Sequence, residues 1–411
     1  MTTLPTETIE VIQNRIASAC SDPEKGLPGV SFVAVGKDGN ELVSHAAGQR
    51  GYGSSEAMKT DSVFWIASCT KMITGIACMQ LVEQGRLSLD DAEQVYQFCP
   101  ELRDAKVLQK DGSLVEKKRE ITLRMLLTHT SGLGYTFFSD ALRDYKKPGY
   151  DEFTGSIEDF LQPLIHQPGE AWEYGIGIDW AGALLERVTG LSLNDYFHQH
   201  IFEPLGLKHI SMLPTTEMKN NLTFMNQRAA DGQLSAREHV LKRALQEETK
   251  SDKSYFYSGG AGCFSTPQDY CQILTVLLNN GTSPKTGTQL LKKETVDEMF
   301  RDQISNLPPL AEKHFPDAVP ELVTNAVGVH PTVAGDRQGW GLTFNITGGP
   351  TGRSLGTGQW SGLPNPRWWC DREKGVAGMI CVQVLPFGDN QLFDLWQDVE
   401  AGVYRGLGLG V

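Results

Sequence analysis

The sequence predicts an α/β (α+β) fold: an antiparallel sheet flanked by helices, built from both ends of the chain around an inserted, mainly helical region. Three observations carry that prediction. They are a hairpin pattern near the start, helical patterning from Ser68 to about Leu207, and a return to short, glycine-separated strand patterns after Trp340. Strands at both ends with helices between them divide the chain into a sheet domain, 1–67 with 255–411, and a mainly helical domain, 68–254. A small-molecule site is expected in the cleft between the two.

Each element has a local reason. "GVSFVAVGKDGNELVSHAAG" pairs a β-branched run with an alternating run across a Lys-Asp-Gly-Asn turn, the signal of a hairpin. In "SCTKMITGIACMQLVEQG" apolar residues cover most of the helical circumference, so this helix is expected to be central and shielded from water. "ITLRMLLTHTSGL" offers Thr122 as an N-cap, "IDWAGALLERVTG" closes on Gly190, and "LSLNDYFHQHIFEPLGL" offers Ser192 as an N-cap. Polar, weakly periodic sequence from Pro214 to Ser254, and a proline-bearing stretch from Asn306 to about Arg337, read as long surface excursions. Between them "FSTPQDYCQILTVLLNNG" is a capped helix ending at Gly281. "GWGLTFNI", "RWWCDREKG" and "GVAGMICVQVL" then read as antiparallel strands, and a helix around "NQLFDLWQDVEAGVY" closes the fold.

Composition excludes several classes of function. Hydrophobic residues at 40% and charged residues at 21% are ordinary globular usage, so function has to be sought in particular side chains. A net charge of -13 argues against nucleic-acid and anionic-membrane partners, which need a basic face, and the local Lys117-Lys118 and Lys146-Lys147 pairs read as solvated loops. The opening "MTTLPTETIEVIQNRI" lacks a signal-peptide pattern and no apolar run approaches about 18 residues, so a cytoplasmic location is expected. Eight cysteines without Cys-x-x-Cys spacing read as free thiols, and the sequons at Asn221, Asn280 and Asn345 then carry no function. His198 and His200 lie two apart, the wrong spacing for a helical metal pair, so no metal and no cofactor is expected.

The chemistry centres on Ser68 and Lys71, which share a helix face one turn apart. A lysine here is costly: to act as a base at neutral pH it must fall by about 3 pH units, equivalent to about 4 kcal/mol. In return its amine reaches the serine hydroxyl, which is an activated nucleophile in outline, and the N-terminal N–H groups favour negative charge beside it.

In order and spacing, "FWIASCTKMITGIACMQLVEQGRLSLDD", "ITLRMLLTHTSGL", "PGEAWEYGIGIDWAGALLERVTG" and "GGAGCFSTPQDYCQIL" resemble the class C β-lactamase family of serine hydrolases, with its esterases and penicillin-binding-protein relatives. The resemblance spans roughly Gly29 to Trp396 outside the two excursions. In motif detail it is nearest to the fungal statin-pathway transesterases and their esterase relatives. It implies a β-lactamase/transpeptidase-like fold with Ser68 as nucleophile, Lys71 as the motif lysine and Tyr174 as the tyrosine of the second motif. A cationic Lys71 would lower the Tyr174 phenol, so either group is a candidate base.

Two departures from the family pattern bear on substrate. Ile176 stands where β-lactamases carry an amide-binding asparagine, and Trp360, in Trp360-Ser361-Gly362, stands at the third motif's lysine. Both favour a neutral or apolar acyl substrate. By position, the N–H of Leu363 joins that of Ser68 as an oxyanion hole. Tyr135, Phe137, Phe138, Trp360, Trp368, Trp369 and Phe387 are candidates for the wall of an acyl pocket.

Three other candidates are set aside. Lys285-Thr286-Gly287 copies the third motif, but in a proline-bearing connection between helices, where there is no strand edge. Ser354, in a Gly-x-Ser-x-Gly match, lacks the strand before and helix after that a nucleophile elbow needs. His129 reads as a turn brace.

The sequence therefore predicts a serine acyl-transfer enzyme acting on small-molecule esters or thioesters through an acyl-Ser68 intermediate. Water, an alcohol acceptor or an acyl-carrier donor are its possible co-reactants. A β-lactamase-like or D-Ala-peptidase-like hydrolase, and a binding protein without turnover on the same scaffold, are the alternatives.

Overall fold

In the computed structural model, which describes residues 3–146, 150–308, 310, 315–324 and 338–409, the two ends of the chain meet in one seven-stranded sheet. The N-terminal hairpin, Gly29–Gly36 with Glu41–Gly48, forms one edge. Val376–Cys381 pairs antiparallel with Gly29–Gly36, followed outward by Arg367–Asp371, Gly358–Ser361, Asn345–Ile346 and Gly339–Trp340.

The period of two along these strands divides the interior. Phe32, Ala34, Trp369, Val376 and Ile380 face one core, covered by the helices Thr6–Ala19 and Asn390–Gly406. Val33, Val35, Trp368, Cys370, Ala377 and Met379 face the other, which runs into the helical region. At the centre of that second core lies the helix Thr70–Glu83, buried at every residue from Thr70 to Leu81. A helix apolar all round has nowhere else to go.

The expected caps are present. Thr122 accepts from Met125 N, Ser192 from Asp195 N, and Gly190 takes the left-handed conformation at φ 75° that a helix C-terminus favours. The "FSTPQDYCQIL" helix runs Pro267–Leu278, and Gly281 N closes back on Val276 O. All eight cysteines are free. No helix among the described residues is long and apolar enough to cross a membrane.

The stretch from Pro214 to Ser254 departs from expectation, because it is not wholly a surface excursion. Its strand Asn226–Arg228 pairs in parallel with Val384–Leu385 and antiparallel with Leu234–Ala236. Arg228 forms an ion pair with buried Asp389, and the Asn226 amide donates to Gln383 O. Strands of three residues are too short to show a period, so polar composition dominated the sequence signal. Of the stretch from Asn306 to Arg337, residues 309, 311–314 and 325–337 lie outside the described residues, as does Lys147.

Candidate active site

Ser68 sits in a tight 3-10 turn, Ala67–Cys69, immediately before the buried helix rather than on its first turn. Ala67 takes φ 44°, and the turn is pinned by Ile66 N to Cys263 O, Cys263 N to the Thr70 hydroxyl, and the Tyr270 hydroxyl to Cys69 O. The i, i+3 relation survives this offset, with Lys71 Nζ 3.1 Å from Ser68 Oγ.

Lys71 is fully buried, and burial lowers its ammonium to about 7, against the opposing pull of Asp179. Its nitrogen has two further neighbours at 2.9 Å, the Gly260 carbonyl and the Tyr135 hydroxyl. A neutral amine has two N–H donors and one lone pair. The carbonyl can only accept, and the Tyr135 hydroxyl points its own proton at Asp179 Oδ2, 3.4 Å away. As an ammonium Nζ donates to all three, Ser68 Oγ included; on losing a proton it can keep its donors to Gly260 O and Tyr135 and turn a lone pair to the Ser68 hydroxyl.

Tyr174 reaches the same serine from the loop before the helix Gly177–Thr189, and its phenol hydrogen-bonds the Ser68 side chain. Trp360 Nε1 donates to the Tyr174 oxygen at 2.9 Å. The phenol is nevertheless pushed up, not down, because burial outweighs both hydrogen bonds. The expected lowering required a cationic lysine, and the buried Lys71 is itself held near neutrality. Tyr174 therefore keeps its proton beside Ser68.

The strand Gly358–Ser361 delivers Trp360 and Ser361 to the site, where Ser361 is buried and paired in register with Arg367. The chain then passes close to the serine turn: a β-carbon on Gly362 would stand 2.5 Å from Ile66 O and 3.2 Å from Ala67 Cβ. The N–H groups of Ser68 and Leu363 have no protein acceptor among the described residues.

The sequence profile of the Beta-lactamase family matches residues 9–402, most of the chain. The chain belongs to the beta-lactamase family. It is 32% identical over 401 residues to the monacolin J acid methylbutanoyltransferase of Aspergillus terreus, covering 92% of each chain. It is 33% identical over 395 residues to the lovastatin esterase of Penicillium rubens, covering 92% of this chain and 94% of that one. Among solved structures, unliganded simvastatin synthase (LovD) from Aspergillus terreus superposes with a TM-score of 0.80 at 29% identity, over 98% of this chain and 99% of that one. The fold is accordingly the β-lactamase/transpeptidase-like one, and the protein is a serine hydrolase/acyltransferase of this family.

Two of this beta-lactamase family member's motif positions are apolar. Ile176 is fully buried at the head of its helix, and Trp360 packs 4.6 Å from Trp340 and 5.0 Å from Tyr174. Phe137 and Phe138 extend this aromatic wall, with Phe137 stacked on Tyr135 at 4.7 Å and Phe138 6.1 Å from Tyr174.

Other candidates sit elsewhere. The half-buried Phe387 ring lies 5.9 Å from the Arg367 guanidinium and its backbone pairs with 322–324, so the described contacts do not bring it to Ser68. Trp369 faces the outer core, away from the site. His129 braces the Tyr174 loop, its Nδ1 accepting from Gly175 N at 3.3 Å and its carbonyl from Glu173 N at 2.8 Å. The Lys285-Thr286-Gly287 copy lies in a turn, and Ser354 precedes a strand rather than a helix. Among the described residues no group of three His, Cys, Asp or Glu is placed to hold a metal.

Asp179 was not among the sequence candidates. Almost fully buried, it accepts from Ser258 Oγ, from Gly260 N at 3.0 Å and from Tyr135. An acid on a helix's first turn has an ordinary explanation in the helix dipole, which hid it. Its apolar setting in "GIDWAGALL" was the available signal.

Proposed function

We propose that Ser68 is the nucleophile of an ester-directed acyl transfer, with Lys71 as its base and Tyr174 as the acid. The observation that carries this reading is the setting of Lys71 Nζ, 3.1 Å from Ser68 Oγ and 2.9 Å from Gly260 O and the Tyr135 hydroxyl, where burial lowers its ammonium to about 7 and so makes the neutral amine accessible beside the serine. Ser68 Oγ attacks the acyl carbon as its proton passes to Lys71. The N–H groups of Ser68 and Leu363 receive the oxyanion. Tyr174 gives its proton to the departing oxygen or sulfur and is reprotonated from Lys71. In the second half the acceptor's hydroxyl takes the place of the leaving group, and the proton path runs in reverse.

The apolar Ile176 and Trp360 support an acyl substrate without a carboxylate at the third-motif position. The names of the relatives, a methylbutanoyltransferase and an esterase, support a short branched or linear acyl group on a secondary metabolite, with an alcohol or water as acceptor and a thioester, free or on an acyl carrier, as a further donor.

The test is intact mass after brief exposure to p-nitrophenyl butyrate, with peptide mapping. A single butyryl group on Ser68, absent from Ser68→Ala and discharged by water or an alcohol, is the expected result. An adduct elsewhere, or one that never discharges, refutes the reading.

A further inference from the structure

No step of the acyl transfer uses Glu152, yet this carboxyl is only 5% exposed and interacts electrostatically with Lys71, Tyr135 and Asp179. Its Oε1 accepts from Thr136 N at 2.7 Å. Thr136 opens the 3-10 turn Thr136–Phe138, and the first N–H of such a turn has no acceptor within it, so one has to come from outside. The residue just before the turn is Tyr135, whose hydroxyl stands 2.9 Å from Lys71 Nζ.

The next residue in the chain reinforces the same arrangement. Phe153 stacks on Phe137 at 6.2 Å, and Phe137 on Tyr135 at 4.7 Å. Phe153 also meets Trp65 edge-on at 5.8 Å, and Trp65 Nε1 donates to Ala261 O, next to the Gly260 carbonyl that holds Lys71. Glu152 and Phe153 thus brace two of the groups around the amine, Tyr135 through Thr136 and Phe137, and Gly260 through Trp65.

We infer that Glu152 is a positioning residue: by holding the N–H of Thr136 it fixes the Tyr135 hydroxyl at Lys71 Nζ, and so sets the direction from which the amine meets Ser68. This rests on the reading of Ser68 and Lys71 above. A hydroxyl free to drift would leave the amine free to turn away from the serine, and reacting groups tolerate little misplacement. The clamp also has to be made without charge, because a carboxylate here would favour the ammonium of Lys71. Glu152 meets that condition. Its Oε2 is buried with no hydrogen-bond partner among the described residues, and burial pushes the carboxyl up to about 8, so at pH 7 it is mostly the neutral acid. Glutamine reproduces that form, with similar size, an acceptor oxygen and no charge.

The experiment is a double-mutant cycle with Tyr135→Phe, which removes only the hydroxyl. Turnover of p-nitrophenyl butyrate at pH 7 is divided by the amount of Ser68 that takes up a butyryl group by intact mass, so that misfolded protein does not count. Glu152→Met, which fills the same space, and Glu152→Ala, which cannot overpack it, are each expected to lower kcat about tenfold with KM within about twofold. Glu152→Gln recovers kcat to within about threefold of the natural protein. In the Tyr135→Phe background, itself about tenfold down, Glu152→Met costs no more than about twofold further, because the hydroxyl it positions is gone. A natural kcat in Glu152→Met, losses that multiply to about a hundredfold in the double variant, or a Glu152→Gln as slow as Glu152→Met overturns the inference. Failure of the underlying reading shows separately, as butyryl uptake and turnover that persist in Ser68→Ala.

Discussion

Replacing Lys71 by methionine separates what the lysine does for chemistry from what it costs the fold. Burial lowers the ammonium from 10.5 to about 7, so at pH 7 the unfolded chain binds nearly a full proton here and the folded chain about half of one. The imbalance destabilises the folded state by about 4 kcal/mol at that pH. Its sign follows from linkage: between about 7 and 10.5 the unfolded state holds more protons, so folded stability rises with pH across that window.

Methionine has no such dependence, and the Gly260 carbonyl it leaves without a donor costs about 1–3 kcal/mol at every pH. The natural protein should therefore gain about 1.5 kcal/mol on the Lys71→Met variant between pH 7 and 8.5, read by urea unfolding at both values. In ester turnover, kcat/KM of the natural protein should climb about tenfold per pH unit below 7 and level off above it. The variant should lose about 1,000-fold. A stability difference that does not move with pH, or a methionine variant that turns over at the natural rate, refutes the reasoning.

Three further outcomes follow from the same geometry. Asp179→Asn removes a charge that raises Lys71, so the midpoint of the pH–rate profile should move toward acid by about one pH unit, checked by kcat/KM from pH 5 to 9. Trp360→Phe deletes the donor to the Tyr174 oxygen and should lower kcat about fivefold with little change in KM, a hydrogen bond of about 1 kcal/mol felt mainly in the transition state. Gly362→Ala forces a β-carbon into Ile66 O and should shift the oxyanion donors enough to cost about 100-fold in kcat/KM, measured on the same ester.

The parts of this protein legible in its sequence are those governed by short-range spacing. Ser68 and Lys71 announce themselves because i and i+3 share a face, and the caps at Thr122, Ser192 and Gly190 because orphan helix-end groups need particular residues within a turn. The apolar circumference of Thr70–Glu83 shows that the lysine must be buried. Tyr174 was legible only through its motif, and the strand Asn226–Arg228 was not legible at all, since its place depends on Arg228 and Asn226 finding partners more than 150 residues away.

What the sequence by itself determined was that Ser68 and Lys71 lie together at the head of a buried helix. Which group holds the proton was decided only by the tertiary structure. Tyr135, Asp179 and Gly260 converge on the amine from segments far apart in the chain, and burial acts on lysine and phenol in opposite directions, lowering the ammonium to about 7 and holding the phenol in its protonated form. Desolvation is a property of everything that surrounds a side chain, and no local stretch of sequence contains it.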